Sequence, residues 1–318
     1  MNKTLPLVAM ALALSTNAFA WPDKTITLVV PFPAGGATDA LARTLTPKLQ
    51  EKLKQNVIVD NKAGATGTIG AGFVKRAPAD GYTLLVTSLG PLVIAPYLLA
   101  KVPYEASKDF DYLTVAVQAP NVLVVPASSP YKTMAELIAA EKANPGKLTF
   151  ASAGTGTSDH LSAELFWLQS GTSGLHVPYK GAAPAITDLL GGQVDAAFQN
   201  INNVLPHITA GKLRVLAIAA PKRSPLLPNV PTLTESGVKD ADATSWQGVV
   251  APKGLPPAVK AQIHAALMDA LADPAVKQKF AEVGFEMVAN TPEQFAAYQA
   301  SEAARWKKLI ETRKIAVD

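Results

Sequence analysis

The 318-residue chain contains no cysteine. That excludes disulfides, thiolate-bound metals, a cysteine nucleophile and a lipid-modified N-terminal cysteine, although it fixes no compartment. Charge is sparse: Asp, Glu, Lys and Arg make up 17% of the residues. No long block of one sign occurs, so a nucleic-acid surface is not indicated. The balance of 29 Lys+Arg against 25 Asp+Glu is too even to name a partner. There is no G-x-S-x-G elbow, H-E-x-x-H or metal-ligand cluster. No stretch approaches the roughly twenty apolar residues of a membrane span.

What is present is apolar and turn-rich. Apolar residues make up 48%, with 21 Gly and 25 Pro spread along the chain. This length and content predict a large core divided between two domains. Met1–Ala20 carries Lys3, an apolar segment from Leu5 to Leu14, and Ala18-Phe19-Ala20 as an A-x-A site. It reads as a secretory signal cleaved after Ala20, leaving a periplasmic chain that begins at Trp21.

The segment Leu28–Arg43 sets the pattern for the rest. The apolar run Ile26–Phe32 reads as a buried strand, closed by Pro33 and the small-residue turn Ala34-Gly35-Gly36. Thr38 or Asp39 stands as helix N-cap, and Leu41, Leu45 and Leu49 recur at helical spacing. Free N–H groups at such a helix start face the carboxyl end of the strand, where an open α/β sheet binds its ligand and the helix dipole favours an anion. The unit recurs at residues 56–76 and at 82–92, so the loops 33–39, 62–68 and 88–92 should gather on one sheet edge. Residues 113–126 form a double strand broken at Ala119-Pro120 that can cross between domains. Thr133 and Glu136 are spaced as a capping box. Residues 148–168 then repeat the opening unit, and two helix N-termini, one per domain, could close on one small anion. Further strands are expected at 194–200, 213–219 and 245–252. Helices should follow at 257–271, 274–283 and 292–312, with Phe295, Tyr298 and Trp306 packing on the first domain.

Several longer motifs now stand in one order. They are P-F-P-A-G-G-A-T-D at 31–39, N-K-A-G-A-T-G at 61–67, S-A-G-T-G-T-S-D-H-L at 152–161 and H-V-P-Y-K-G-A-A-P-A at 176–185. D-L-L-G-G-Q-V-D-A-A-F at 188–198, G-K-L-R-V-L-A at 211–217 and K-R-S-P-L-L-P-N-V-P-T at 222–232 complete the set. Over essentially all of the chain after the leader, the sequence resembles the Bug family, the substrate-binding receptors of tripartite tricarboxylate transporters. The resemblance implies an α/β, type II periplasmic binding-protein fold: two lobes joined by two crossing strands, with a small carboxylate in the cleft. Lobe 1 would comprise 21–120 and 245–318, and lobe 2 121–244. Capture would close the lobes and present the ligand to a membrane permease of small and large subunits, the receptor being a monomer without cofactor or enzymatic activity. A sensor feeding a membrane kinase and a secreted carboxylate-ester hydrolase are the alternatives.

The expected ligand-facing positions are Phe32, Ala34, Gly35, Gly36 and Asp39 in the first loop, Thr66 and Gly67 in the second, and Ser88 and Leu89 after the third strand. From lobe 2 come Thr155, Gly156, Thr157, His160, Lys180, Gln199 and Asn200. Asp39 and His160 also read as a loop-ordering cap and a lobe-orienting residue, Lys180 also as a solvated lysine, and Trp246 as hinge packing or pocket wall. The loops offer N–H groups and hydroxyls but no arginine clamp. Where relatives commonly have proline, glycine and aspartate, this chain has Ala63, Thr66 and Gln199, and Leu89, Pro91, Leu92 and Val93 replace a polar stretch. These departures point to a ligand without an ammonium group, with room for an apolar or aromatic body, and away from citrate. Export of the full chain is expected to give a product starting at Trp21, read by N-terminal sequencing; a product retaining Met1–Ala20 contradicts the leader assignment.

Overall fold

The computed structural model describes residues 21–316, so the leader assigned to Met1–Ala20 lies outside the described residues. The strands are β1 (Ile26–Val30), β2 (Val57–Asn61), β3 (Thr83–Ser88), β4 (Phe110–Pro126), β5 (Thr149–Ser152), β6 (Leu175–Pro178), β7 (Ala196–Asn200), β8 (Leu213–Ala219), β9 (Thr244–Pro252) and β10 (Glu286–Met287). The helices are α1 (Ala37–Leu53), α2 (Thr68–Lys75), α3 (Ala95–Leu98), α4 (Ala106–Asp109), α5 (Met134–Ala143), α6 (Ser158–Ser170), α7 (Ala182–Leu190), α8 (Ile201–Thr209), α9 (Pro257–Ala272), α10 (Pro274–Glu282) and α11 (Pro292–Arg313).

Apolar strands covered on both faces suit parallel pairing with helical crossovers. β1 pairs in parallel with β2 and β3, and β5 does so with β6 and β7. The two halves are joined through β4. Its first part, Phe110–Pro120, runs antiparallel to β9, and its second, from Asn121, pairs with β7 and β8. The chain passes between the halves again at Ala243, whose carbonyl accepts from Asn121 N–H at 3.4 Å and whose N–H donates to Ala219 at 3.0 Å. The double strand expected at 113–126 is thus one continuous strand. On one side of the sheet, α2, α5, α6 and α11 bury residues such as Val74, Leu137, Phe166 and Trp306. On the other, α1, α7, α8, α9 and α10 bury Leu41, Ile186, Val204, Leu267 and Phe280.

Local chemistry explains the boundaries. Thr133 and Glu136 form the expected capping box at the start of α5. Helix α1 begins earlier than expected: Gly36 is its N-cap and makes no side-chain cap bond, while Thr38 and Asp39 lie inside the first turn. Asp39 instead reaches back to Gly35 N–H at 3.0 Å. After β3 the backbone makes a widened turn at Gly90–Ile94, held by Tyr104 Oη donating to Pro91 O at 2.7 Å and Gln299 Nε2 to Leu92 O at 2.9 Å. The apolar side chains there, Leu89 included, point into the core.

Trp246 is fully buried. It packs edge-on against Phe295 and Tyr298 and donates to Glu302, so it is a packing residue. α11 rests on the first half, as Phe295 and Trp306 implied, but also reaches the second half, where Arg313 Nε meets Glu164 at 2.8 Å. Close backbone approach between β9 and β4 requires Gly248: a Cβ there would stand 2.8 Å from both Thr114 O and the Phe295 ring. Gly248→Ala is expected to cost about 1–3 kcal/mol in urea unfolding, and an unchanged midpoint contradicts this packing.

Candidate ligand-binding cleft

A cavity of about 120 Å³ lies between the two halves of the sheet, at the carboxyl ends of the parallel strands. Four helix N-termini meet there. From α1 come Gly36, Ala37 and Thr38, and from α6 Thr157, Ser158 and Asp159. From α7 come Gly181, Ala182 and Ala183, and from α8 Asn200 and Asn203. Gly36, Gly181 and Asn200 are N-caps without a side-chain cap bond. Only Thr157 caps in the usual way, accepting from His160 N–H at 3.5 Å. First-turn N–H groups have no partner within their own helix, and their summed dipoles place partial positive charge at each terminus.

The remaining wall mixes apolar residues, among them Phe32, Pro33 and Ala153, with polar ones, and is almost uncharged. Ser88, Ser245 and Gln247 reach the cavity from β3 and β9. Asn200 is braced by Asn121 at the strand crossing and donates to Ser158 Oγ at 3.2 Å. Asn121 in turn donates to Ser162 at 2.7 Å, so the crossing strand and the cavity wall share one hydrogen-bond network. Among the described residues, Lys180 and Asp159 are the charged types lining the cavity, and Lys180 is exposed at its mouth. Burial pushes the Asp159 carboxyl up to about 6, although Ala153 N–H and Ser158 Oγ donate to it. No group of three or more His, Asp or Glu is placed to hold a metal among the described residues.

Of the positions expected from sequence, Phe32, Ala34, Gly36, Ser88, Thr157, Lys180 and Asn200 line this cavity. The others are placed around it. Burial would raise the Asp39 carboxyl, but Arg43, Gly35 N–H and Asn61 outweigh it and hold it low; it orders the Gly35 loop from behind. Gly67 backs onto Pro91, Phe32 and Pro31, and Leu89 is core. Gln199 is fully buried behind the wall. Its amide lies beside the Asp159 carboxyl and makes no hydrogen bond of standard geometry among the described residues.

Thr66, Thr155 and Gly156 form a contact across the cleft. Thr66 Oγ1 donates to Thr155 O at 3.0 Å. Gly156, with φ +76°, sits so close that a Cβ would lie 2.5 Å from Leu98 and 2.9 Å from Thr66. The halves also approach one another where Gly181 faces Pro33. His160 lies under this contact, its Nδ1 accepting from Gly156 N–H at 3.2 Å and its Nε2 3.7 Å from Glu164. Both ring nitrogens are engaged, neither by Ser158, so Ser158-Asp159-His160 is not a nucleophile–base line.

Sequence reasoning missed Ser245, Gln247, Asn203 and the first turn of α7. Ser245 and Gln247 sit on the returning crossing strand, whose outward residues become visible only once its partner is known. The G-A-A-P sequence after Lys180 did carry a helix-start signal.

The family described as TctC, tripartite tricarboxylate transporter family receptor, matches residues 41–315. Protein BugT of Bordetella pertussis is 38% identical over 318 residues, covering 98% of each chain. A solved R. palustris protein with adipate is 35% identical, with a TM-score of 0.89 over 93% of this chain and 99% of that one. MatC from Rhodopseudomonas palustris, with bound malate, is 32% identical, with a TM-score of 0.86 over 91% of this chain and 100% of that one.

Because the folded-state pKa of Asp159 lies above its ordinary value of 3.8, at about 6, folding favours the protonated acid. Its contribution to stability is full below the unfolded value and is lost as pH rises through the folded one. The wild type should therefore lose stability relative to Asp159→Asn between pH 4 and 6, read as the difference in Tm. A difference that stays constant across that window contradicts the assignment.

Proposed function

The chain belongs to the tripartite tricarboxylate transporter receptor (Bug) family, and from that membership we propose that it is a periplasmic receptor for a small carboxylate without an ammonium group. The observation that carries this reading is the convergence of four helix N-termini on one cavity. Backbone N–H groups and helix dipoles stabilise an anion without an arginine, and bridging waters can complete the set. The same positive termini disfavour an ammonium group. Lys180 at the mouth can meet a second carboxylate. Relatives solved with adipate and with malate, both dicarboxylates, support a small carboxylate as the ligand class.

Binding requires both halves of the sheet, since α1 lies in one and α6, α7 and α8 in the other. The ligand therefore favours the state in which both halves touch it, the closed cleft joined by Thr66 and Thr155. The closed form delivers the ligand to the membrane permease of the family, and the receptor binds without turning its ligand over.

A thermal-shift screen of residues 21–318 against adipate, malate, citrate, aromatic acids and amino acids tests the reading. Ammonium-free mono- or dicarboxylates are expected to raise Tm, with stabilisation of about 2.7 kcal/mol at a hundred times Kd. A rise with amino acids or citrate alone contradicts the ligand class, and a flat panel contradicts carboxylate capture.

A further inference from the structure

The contact across the cleft rests on a cluster of titratable groups that ligand capture does not use. His160 is buried on α6. Its Nδ1 accepts from the N–H of Gly156, the residue whose backbone presses on Thr66, Ile94 and Leu98 of the other half. For Nδ1 to accept this bond it must be the ring nitrogen without a proton, the hydrogen standing on Nε2.

The groups around the ring come from three elements. On its own helix, Glu164 stands 3.7 Å from Nε2. From α11, Arg313 takes the other oxygen of Glu164 at 2.8 Å. Burial would raise the Glu164 carboxyl, but His160 and Arg313 outweigh it and hold it low. From β6, the His176 ring stacks on His160, centroids 3.8 Å apart and planes 13° from parallel. His176 Nε2 lies 2.6 Å from Ser152 Oγ, and burial followed by the charge of its neighbour pushes it down to about 3. Asp159, next in the chain, is engaged by Ala153 N–H.

We propose that His160 makes closure of the cleft sensitive to pH, the closed contact requiring its neutral ring and loosening when the ring takes up a proton. A proton on Nδ1 would turn the acceptor into a donor aimed at the Gly156 N–H, replacing a buried hydrogen bond by two opposed donors. The Gly156 turn must then lift, and Thr155 and Thr66, next to it, part with it. Glu164, shared with Arg313, meets the imidazolium only at Nε2 and leaves the opposed donors at Nδ1 in place. The stacked His176, held neutral, leaves the charge on His160. Acid therefore favours the open form, and a receptor closed at neutral pH releases its ligand more readily below it.

Because the chain has no cysteine, two can be introduced for spin labelling, at the exposed positions Lys54 and Lys147 on the two halves. Separation of the labels is measured from pH 7.5 to 5 without ligand, so the outcome does not depend on ligand identity. The closed-to-open ratio is expected to fall roughly tenfold toward acid, the order set by losing one buried hydrogen bond. His160→Asn, whose side-chain oxygen replaces Nδ1 as acceptor, should hold the ratio constant, and His176→Gln should keep the wild-type response. Ring ¹⁵N shifts of His160 in the wild-type sequence, independent of any variant's folding, should report an accepting Nδ1 at neutral pH. A wild-type separation that does not change with pH, the same response in His160→Asn, or a protonated Nδ1 at neutral pH would each overturn the proposal.

Discussion

First-turn N–H groups left without a capping side chain must find partners outside their own helices, and that constraint organises the cleft of this molecule. Parallel strands end on one edge, and each hands the chain to a helix whose first N–H groups face that edge. Doing this in both halves of a sheet joined by β4 and β9 brings α1, α6, α7 and α8 to one small cavity. Gly36, Gly181 and Asn200 stand where a capping side chain would otherwise take those N–H groups. Their lack of a cap bond is the local cost of keeping donors available.

The halves meet through equally local devices. Gly156 permits an approach that any side chain would block, and Thr66 bridges the gap to Thr155. Asn121, at the point where β4 leaves one half for the other, shares hydrogen bonds with Asn200 and Ser162. Cavity wall and crossing strand are therefore mechanically connected. On the flank, α11 adds the Arg313–Glu164 pair, so the C-terminal helix belongs to the closed contact as well as to the core.

Much of this was legible in the chain. Repeated strand–glycine loop–helix units gave the parallel sheet, the capping box at Thr133 and Glu136 gave α5, and the motif order gave the family. Within the cleft, Gly36, Thr157 and Asn200 were accessible because the loops that follow the strands carry local signals, although Gly36 read as a turn and Asn200 as a strand end rather than as helix caps. Leu89 was not, because a widened turn rotates it into the core. Gln199 could not be placed because strand alternation fixes a face only when both layers are known, and here it lies behind the wall. Thr66 and Gly156 read as ligand loops, whereas the structure joins them to one another across the cleft. That distinction depends on how the halves meet, which no local pattern encodes.

The central claim is that helix-terminal N–H groups hold the carboxylate. Amide-resolved ¹H–¹⁵N NMR of residues 21–318 titrated with adipate tests it most directly. The account predicts downfield shifts of first-turn amide protons in α1 and α6 together with α7 or α8, as N–H groups begin to donate to the added anion. Saturating shifts confined to one half of the sheet, or to residues away from the four helix starts, would contradict it.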